Sequence, residues 1–134
     1  MALRISETMT GEKGRDARML EWLVGKRREN ASPKVPTTID PEEVKELLDK
    51  GEKIVVLDVR QQHEYRSGHI KGAQHIPLME LNKRVHELRK DNTIITVCHS
   101  GRRSAQAARL LRAEGFTVRN MAGGMMRWRG RIVR

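Results

Sequence analysis

The sequence predicts an α/β fold in which a mainly parallel sheet carries helices on both faces. Two runs, KIVVLDV at 53–59 and NTIITVC at 92–98, are almost continuously apolar and β-branched, which is typical of strands buried on both sides. Segments with helical spacing alternate with these runs, and this alternation favours parallel strands. With 134 residues, the chain has room for one such core and an extension.

The elements are predicted in chain order from their boundary residues. Asp40 can cap a helix near 41–50 that Pro41 opens and Gly51 ends. SAQAARLLRAEG, at 104–115, has alanines and leucines at helical spacing and ends on Gly115, so it predicts a second helix. FTVRN at 116–120 predicts a further strand, and GGMMRWRG at 123–130 predicts a final helical turn or two.

Two segments are distinguished along the chain. Residues 1–33 are predicted to be an N-terminal extension, followed by a proline-containing linker, and residues 34–134 form the domain. ARMLEWLVGKRREN at 17–30 predicts a short helix with an apolar face. Docking on its own domain is the ordinary outcome for that face, and two alternatives stay open: a homodimer contact, or a membrane-surface contact through the basic residues 26–28.

Composition excludes several classes of protein. No run approaches the roughly 18 apolar residues of a membrane span, and the N-terminus lacks a secretory signal, so we expect no membrane partner and a cytoplasmic location. A single cysteine forms no internal disulfide and no cysteine-based zinc site, and we expect no metal and no cofactor. Aromatic residues are 3 % of the chain and no binding motif accompanies its charge, so no nucleic acid is expected.

The positive charge is concentrated around the cysteine and after it. From Cys98 onward there are nine arginines and one acidic residue, which supplies +8 of the net charge of +10. The five residues after Cys98 must curl before a helix that we expect to begin near Ser104, and Gly101 allows a tight turn. Such a curl can direct several N–H groups and a helix N-terminus at one anion. We therefore predict a nucleophilic thiol with a lowered pKa at Cys98 and an anion cradle formed by His99, Ser100, Gly101, Arg102 and Arg103.

A second polar residue ends the other predicted central strand. Because the carboxyl ends of parallel strands meet at one edge of a sheet, Asp58 and Cys98 are candidates for the same crevice. A carboxylate at that position beside several arginines is typical of an ion pair, so we assign Asp58, Arg60, Glu64 and Ser104 to a scaffold for the loop. His63, His69 and His75 have no recognised metal-ligand spacing.

Three ordered motifs resemble those of rhodanese-like domains. VCHSGRRS resembles the active-site loop of that family, and MAGGMMRW resembles its closing motif through Gly123, Gly124 and Trp128. The stretch LDVRQQHEYRSGHIKGAQHIP at 57–77 resembles the signature before the loop through Asp58, Arg60, Glu64, Gly68, His69, Ile70, Gly72, Ala73, Ile76 and Pro77. The resemblance covers about residues 37–129 and implies a mainly parallel sheet of about five strands. His99 departs from the arginine often found after the cysteine in that family.

The resemblance implies sulfur transfer through a Cys98 persulfide, from thiosulfate or a similar small anionic donor to cyanide, a thiol or a sulfur-accepting protein. Two other functions stay open. A non-catalytic rhodanese-like module would bind partners or carry or sense sulfur, although such modules commonly lack the cysteine. Cysteine phosphatases use a similar loop with five residues between Cys and Arg, whereas four residues separate Cys98 from Arg103.

Overall fold

Five parallel strands form the central sheet of residues 36–134, the part of the chain that the computed structural model describes. In chain order these strands are β1 (Thr38–Ile39), β2 (Ile54–Asp58), β4 (Gln74–His75), β5 (Thr93–Val97) and β6 (Val118–Met121). They lie side by side in the order β1-β6-β5-β2-β4. The strands β3 (His69–Ile70) and β7 (Ile132–Val133) form a separate antiparallel pair.

Four α-helices connect these strands: α1 (Pro41–Asp49), α2 (Gln62–Ser67), α3 (Leu81–Arg84) and α4 (Arg102–Ala113). Three 3₁₀ turns complete the domain at Leu78–Glu80, Val85–Glu87 and Gly124–Arg127. The predicted α/β class and mainly parallel sheet are therefore confirmed, and the five-strand count that the resemblance implied is correct.

The two faces of the sheet are covered by different helices. On one face, Val56, Ile95 and Val97 pack with Val44 of α1 in one apolar cluster. On the other face, the residues that form a second cluster with the sheet are Leu57, Ile94, Ala107, Ala108 and Leu111, three of them from α4. Because successive side chains of a strand point to opposite faces, the continuous apolar runs supply both clusters at once.

The cap predicted at Asp40 is not made by its side chain. Its backbone has the extended conformation of an N-cap, and its carbonyl accepts the Val44 N–H at 3.0 Å. The carboxylate instead lies 3.3 Å from Arg127, which is 87 residues away in the chain. Pro41 opens the helix as predicted, because a first helical residue needs no N–H partner within the helix.

Helix α4 begins at Arg102, two residues before the predicted start. Gly101 precedes it in the left-handed region, with φ of 101°, and so ends the turn that follows Cys98. Arg102 and Arg103 consequently occupy the first turn, where a positive charge opposes the helix dipole. Positive charge at this position costs helix stability, and the ion pair of Arg103 with Glu64 offsets part of that cost.

The extension predicted for residues 1–33, with its short helix and the homodimer contact, lies outside the described residues. Over residues 36–134, no helix combines the length and apolar character needed to cross a membrane.

Candidate active site

The loop after β5 wraps around the sulfur of Cys98. The Gly101 N–H donates to Sγ at 3.0 Å, and the Ser104 hydroxyl oxygen lies 3.3 Å from the same atom. The left-handed conformation of Gly101 turns its N–H inward, and Ser104 points its hydroxyl at the sulfur from the first turn of α4. The Gly101 N–H and the Ser104 hydroxyl therefore both face the sulfur.

This environment sets the pKa of the Cys98 thiol below its ordinary value. Burial alone raises the pKa, since it disfavours the charged thiolate. Hydrogen bonds outweigh that effect: the Ser104 hydroxyl donates to the sulfur, and the backbone N–H groups of Ser104, Gly101 and Ser100 add to it. The result is a larger thiolate fraction near neutral pH, which is the nucleophilic form of cysteine.

The Cys98 side chain is covered by neighbouring atoms. Cys98 has 0 % exposed surface and contacts the apolar cluster beneath α4, whereas His99 and Ser100 are exposed. Its sulfur lies 3.0 Å from the nitrogen of half-buried Gly101, so it lies just below the surface. A molecule that reacts with the sulfur must therefore displace loop atoms or side chains to reach it.

The Gly124–Arg127 turn supports the loop from behind. The N–H groups of Met125 and Met126 donate to the carbonyl oxygens of Cys98 and His99 at 2.8 and 3.0 Å. Gly124 lies against the same two carbonyl groups, and a Cβ atom there would overlap both oxygens. Gly124 of the closing motif thus allows two backbone segments to meet.

Arg103 forms a bidentate salt bridge with Glu64 of α2. Its two terminal nitrogens lie 2.7 and 2.9 Å from the two carboxylate oxygens. These bonds lower the pKa of Glu64 to about 2, against the opposing effect of its burial. Two of the five N–H donors of the guanidinium are used, which leaves donors for a substrate anion. The charge of Cys98 in turn raises the pKa of Arg103, after the larger effect of Glu64.

Asp58 pairs with Arg60 and points to the opposite face of the sheet from Cys98, although its charge still acts on Arg103 at the start of α4. Asp58 pairs in register with Val97, so the two side chains lie on the same face of the sheet. Val97 belongs to one apolar cluster, and Cys98 belongs to the cluster on the other face. Both residues of the pair are buried, and Arg60 donates to the two oxygens of Asp58 at 2.8 to 3.1 Å. Arg60 also donates to the Gly68 carbonyl at 2.8 Å, so the pair holds the end of α2 and with it the segment that presents Glu64.

Comparison with known families accounts for this arrangement. The model of the rhodanese-like domain family matches residues 40–131, which includes every element from α1 to the Gly124–Arg127 turn. The chain belongs to the rhodanese-like domain family.

Several relatives of this rhodanese-like domain are named for sulfur chemistry. "Putative sulfur carrier protein YrkF" of Bacillus subtilis is 45 % identical over 104 residues, which cover 77 % of this chain and 55 % of that protein. The chain thus spans little more than half the length of that relative. "Thiosulfate sulfurtransferase GlpE" of Pseudomonas fluorescens is 36 % identical over 92 residues, covering 68 % of this chain and 83 % of that protein.

A solved structure shows the same fold. The solution structure of the rhodanese-like domain from the Alr3790 protein of Anabaena sp. has a TM-score of 0.68 and 30 % sequence identity. The match covers 74 % of this chain and 80 % of that chain.

Two of the three histidines in the rhodanese-like signature pack against one tyrosine, and the third, His63, is exposed. His69 and His75 stack on Tyr65, with ring centroids 3.7 and 4.2 Å apart. A nitrogen of His69 contacts the Tyr65 carbonyl at 2.8 Å, and a nitrogen of His75 contacts the Arg60 carbonyl at 2.7 Å. These contacts hold the segment around α2 in place. Within residues 36–134, no group of three His, Cys, Asp or Glu side chains could hold a metal ion.

Two residues of the site were missed from the sequence, and a third was given a different role. Thr96 and Asn120 are buried and contact the backbone of the cysteine loop. Thr96 lies two residues before Cys98 in one strand, so strand alternation places both on the same face, and this signal was available. Ser104, assigned to the scaffold, contacts the sulfur directly.

We expect the Glu64–Arg103 pair to stabilise the domain in a pH-dependent way. The pKa of Glu64 is about 2 in the folded chain, below its ordinary value of 4.5. Its contribution is therefore fully present above pH 4.5 and is lost as the pH falls towards 2. Glu64→Gln should lower the free energy of unfolding by about 1 kcal/mol at neutral pH, since solvent screens a partly exposed pair.

Urea unfolding at a series of pH values measures this difference. The gap between wild type and Glu64→Gln should close as the solution is acidified from pH 4.5 towards 2. Glu52→Gln, which removes an exposed carboxylate with no ion-pair partner among residues 36–134, is the matched control. A gap for Glu64→Gln that stays constant with pH would contradict the assigned ion pair.

Proposed function

We propose that this rhodanese-like domain is a sulfurtransferase that moves a sulfane sulfur from thiosulfate, or a similar anionic donor, through a persulfide on Cys98. The observation that carries the proposal is the Cys98 sulfur, which accepts the Gly101 N–H at 3.0 Å and faces the Ser104 hydroxyl at 3.3 Å. Such donors stabilise negative charge on the thiolate, and they would do so equally for a persulfide. The names of several relatives support the same chemistry.

The reaction divides into two displacements at sulfur. In the first, the Cys98 thiolate attacks the outer sulfur of thiosulfate; the sulfur–sulfur bond of thiosulfate breaks, and sulfite leaves with the bonding electron pair. In the second, cyanide or an acceptor thiolate attacks the outer persulfide sulfur and leaves with it, which restores the Cys98 thiolate. The enzyme needs no redox cofactor, because each step exchanges one partner on sulfur for another.

The arginines of the first turn of α4 supply charge for the donor. Thiosulfate carries two negative charges, and the positive field around the loop would raise its local concentration. Arg103 is oriented by Glu64 and retains unused N–H donors, while Arg102 is exposed beside it. We assign Arg103 to the sulfonate end of a bound donor and Arg102 to its attraction from solution.

A second function is favoured by the covered thiol and by one relative. Cys98 has 0 % exposed surface, and one of the relatives is named as a sulfur carrier. In that role, Cys98 would be loaded by a persulfide, as a sulfur-donating protein would present it, and thiosulfate would not load it. The acceptor in either role is a thiol or a protein that accepts sulfur.

Steady-state turnover with thiosulfate and cyanide tests the proposal. We expect wild type to produce sulfite and thiocyanate in equal amounts, with at least a 100-fold loss of rate in Cys98→Ser, since the nucleophile is removed (a rough bound for covalent catalysis). Thr117→Ala, at an exposed side chain outside the cysteine loop, is the control and should keep the wild-type rate. No thiocyanate from wild type would contradict the proposal.

The carrier function is separated by changing the donor. If wild type takes up sulfur from a small alkyl persulfide and none from thiosulfate, the domain carries sulfur without using thiosulfate. Sulfur uptake by Cys98→Ser from either donor would contradict both functions.

A further inference from the structure

Two buried polar side chains of the sheet contact the backbone of the cysteine loop. Asn120 of β6 is 8 % exposed, and Thr96 of β5 is 0 % exposed. Asn120 Nδ2 donates to the Gly101 carbonyl at 3.0 Å, and the Thr96 hydroxyl lies 3.0 Å from the Ser104 carbonyl. The two side chains also approach each other, with Thr96 Oγ1 3.4 Å from Asn120 Oδ1.

Asn120 and Thr96 therefore bind Gly101 and Ser104, the two residues whose N–H and hydroxyl donate to the Cys98 sulfur. Gly101 supplies the N–H at 3.0 Å from Sγ, and Ser104 supplies the hydroxyl at 3.3 Å. The Gly101 carbonyl also accepts the Ala105 N–H at 3.1 Å, so its two acceptor positions are both occupied. Gly101 is thus fixed in its left-handed conformation from two directions, by α4 and by Asn120.

The position of the pair in the sheet explains why it can act on the loop. Thr96 and Asn120 are register partners on adjacent strands, and strand alternation places Thr96 on the same face as Cys98. Buried polar groups cost stability unless they are hydrogen-bonded, so an apolar pair would pack here at no such cost. The sheet instead holds a polar pair beneath the loop, and its hydrogen bonds go to that loop.

We propose that Asn120 and Thr96 are positioning residues that set the reactivity of Cys98 by holding Gly101 and Ser104 in place to donate to its sulfur. Without Asn120, the Gly101 carbonyl keeps only its bond from Ala105, so φ and ψ of Gly101 are less constrained and its N–H moves off the sulfur. Without the Thr96 hydroxyl, the first turn of α4 loses a buried anchor and the Ser104 hydroxyl moves with it. This inference rests on the proposed function, because a stabilised thiolate serves a nucleophilic cysteine.

A titration of the thiolate by its ultraviolet absorbance tests the inference without any sulfur donor. The chain has one cysteine, so subtracting the Cys98→Ser curve isolates the signal of Cys98. In Asn120→Ala and in Thr96→Val, we expect the pKa of Cys98 to rise by about half to one unit, which means three- to tenfold less thiolate below the pKa. Thr96→Ser keeps the hydroxyl and should restore the wild-type pKa.

Thr93→Val is the matched control, since it makes the same change at the opposite end of β5 and should leave the pKa of Cys98 unchanged. Folded Thr96→Val protein with the wild-type pKa overturns the inference, because a purely structural role lowers stability without moving the pKa. If Asn120→Ala does not fold, the Thr96→Val and Thr96→Ser pair decides the question. Failure of the proposed function would show itself separately, as no sulfur uptake by wild type whatever the titration gives.

Discussion

Gly124→Ala is expected to destabilise the domain by about 3 kcal/mol and to abolish sulfur transfer. The backbone at Gly124 has φ of 61°, a left-handed conformation that costs an alanine roughly 1 kcal/mol. Its added Cβ would overlap the carbonyl oxygens of Cys98 and His99, and the overlap costs roughly 1–3 kcal/mol more. Relief of the overlap must push the cysteine loop outward, which breaks the bonds from Met125 and Met126 and moves the amides off the sulfur.

Gly51→Ala is the matched control for this prediction. Gly51 has φ of 71°, close to that of Gly124, and a Cβ there would meet no atom within 4 Å. Its substitution therefore carries the backbone strain without the overlap, and we expect a loss of about 1 kcal/mol with sulfur transfer intact. Chemical denaturation and turnover are measured for both variants. Equal losses of stability would show that the contact between Gly124 and the loop is not as close as described.

Asp58→Ala is expected to cost about 3–5 kcal/mol, because it leaves the Arg60 guanidinium buried without its carboxylate. Arg60 is 5 % exposed and keeps one acceptor, the Gly68 carbonyl. We also expect slower sulfur transfer at temperatures where the variant is folded. Asp58 does not contact Cys98, but its pair with Arg60 holds α2, which presents Glu64 to Arg103.

Asp91→Ala provides an exposed counterpart of the same pair. Arg89 binds Asp91 through its Nε and one terminal nitrogen at 3.1 and 2.8 Å, two residues apart, as in the buried pair. The side chains of Arg89 and Asp91 are both more than half exposed. Denaturation should therefore show almost no change for Asp91→Ala. An Asp58→Ala variant as stable as Asp91→Ala would contradict the structural role given to the buried pair.

The central strands could be predicted because burial on both faces leaves a continuous apolar run, as in Ile54–Asp58 and Thr93–Val97. Contacts between distant residues could not be predicted in this way. Asp40 has the right residue type for a side-chain cap, but its carboxylate binds Arg127, which only the folded chain brings near. The start of α4 was predicted two residues late because all five residues after Cys98 were expected to form the curl. The ion pair of Arg103 with Glu64 lies outside any local pattern.

The candidate site was predicted in its chemistry and less well in its geometry. The sequence indicated a thiol in a turn of amides, and in the structure the Gly101 N–H donates to the Cys98 sulfur. The anion-binding roles of residues 99–103 stay predictions. Asp58 was placed with Cys98 because both end a central strand, whereas alternation in the register puts their side chains on opposite faces. The role of Asn120 is the hardest to predict from neighbouring residues in the sequence, because its contact with Gly101 depends on β6 pairing with β5.

The intact mass of the protein after exposure to thiosulfate tests the central claim most directly. We expect wild type to gain the mass of one sulfur atom, to lose it on addition of cyanide or dithiothreitol, and to carry it on the peptide that contains Cys98. Cys98→Ser should stay unmodified. A wild-type mass unchanged by thiosulfate would mean that the covered sulfur of Cys98 is closed to this donor, and it would contradict the account.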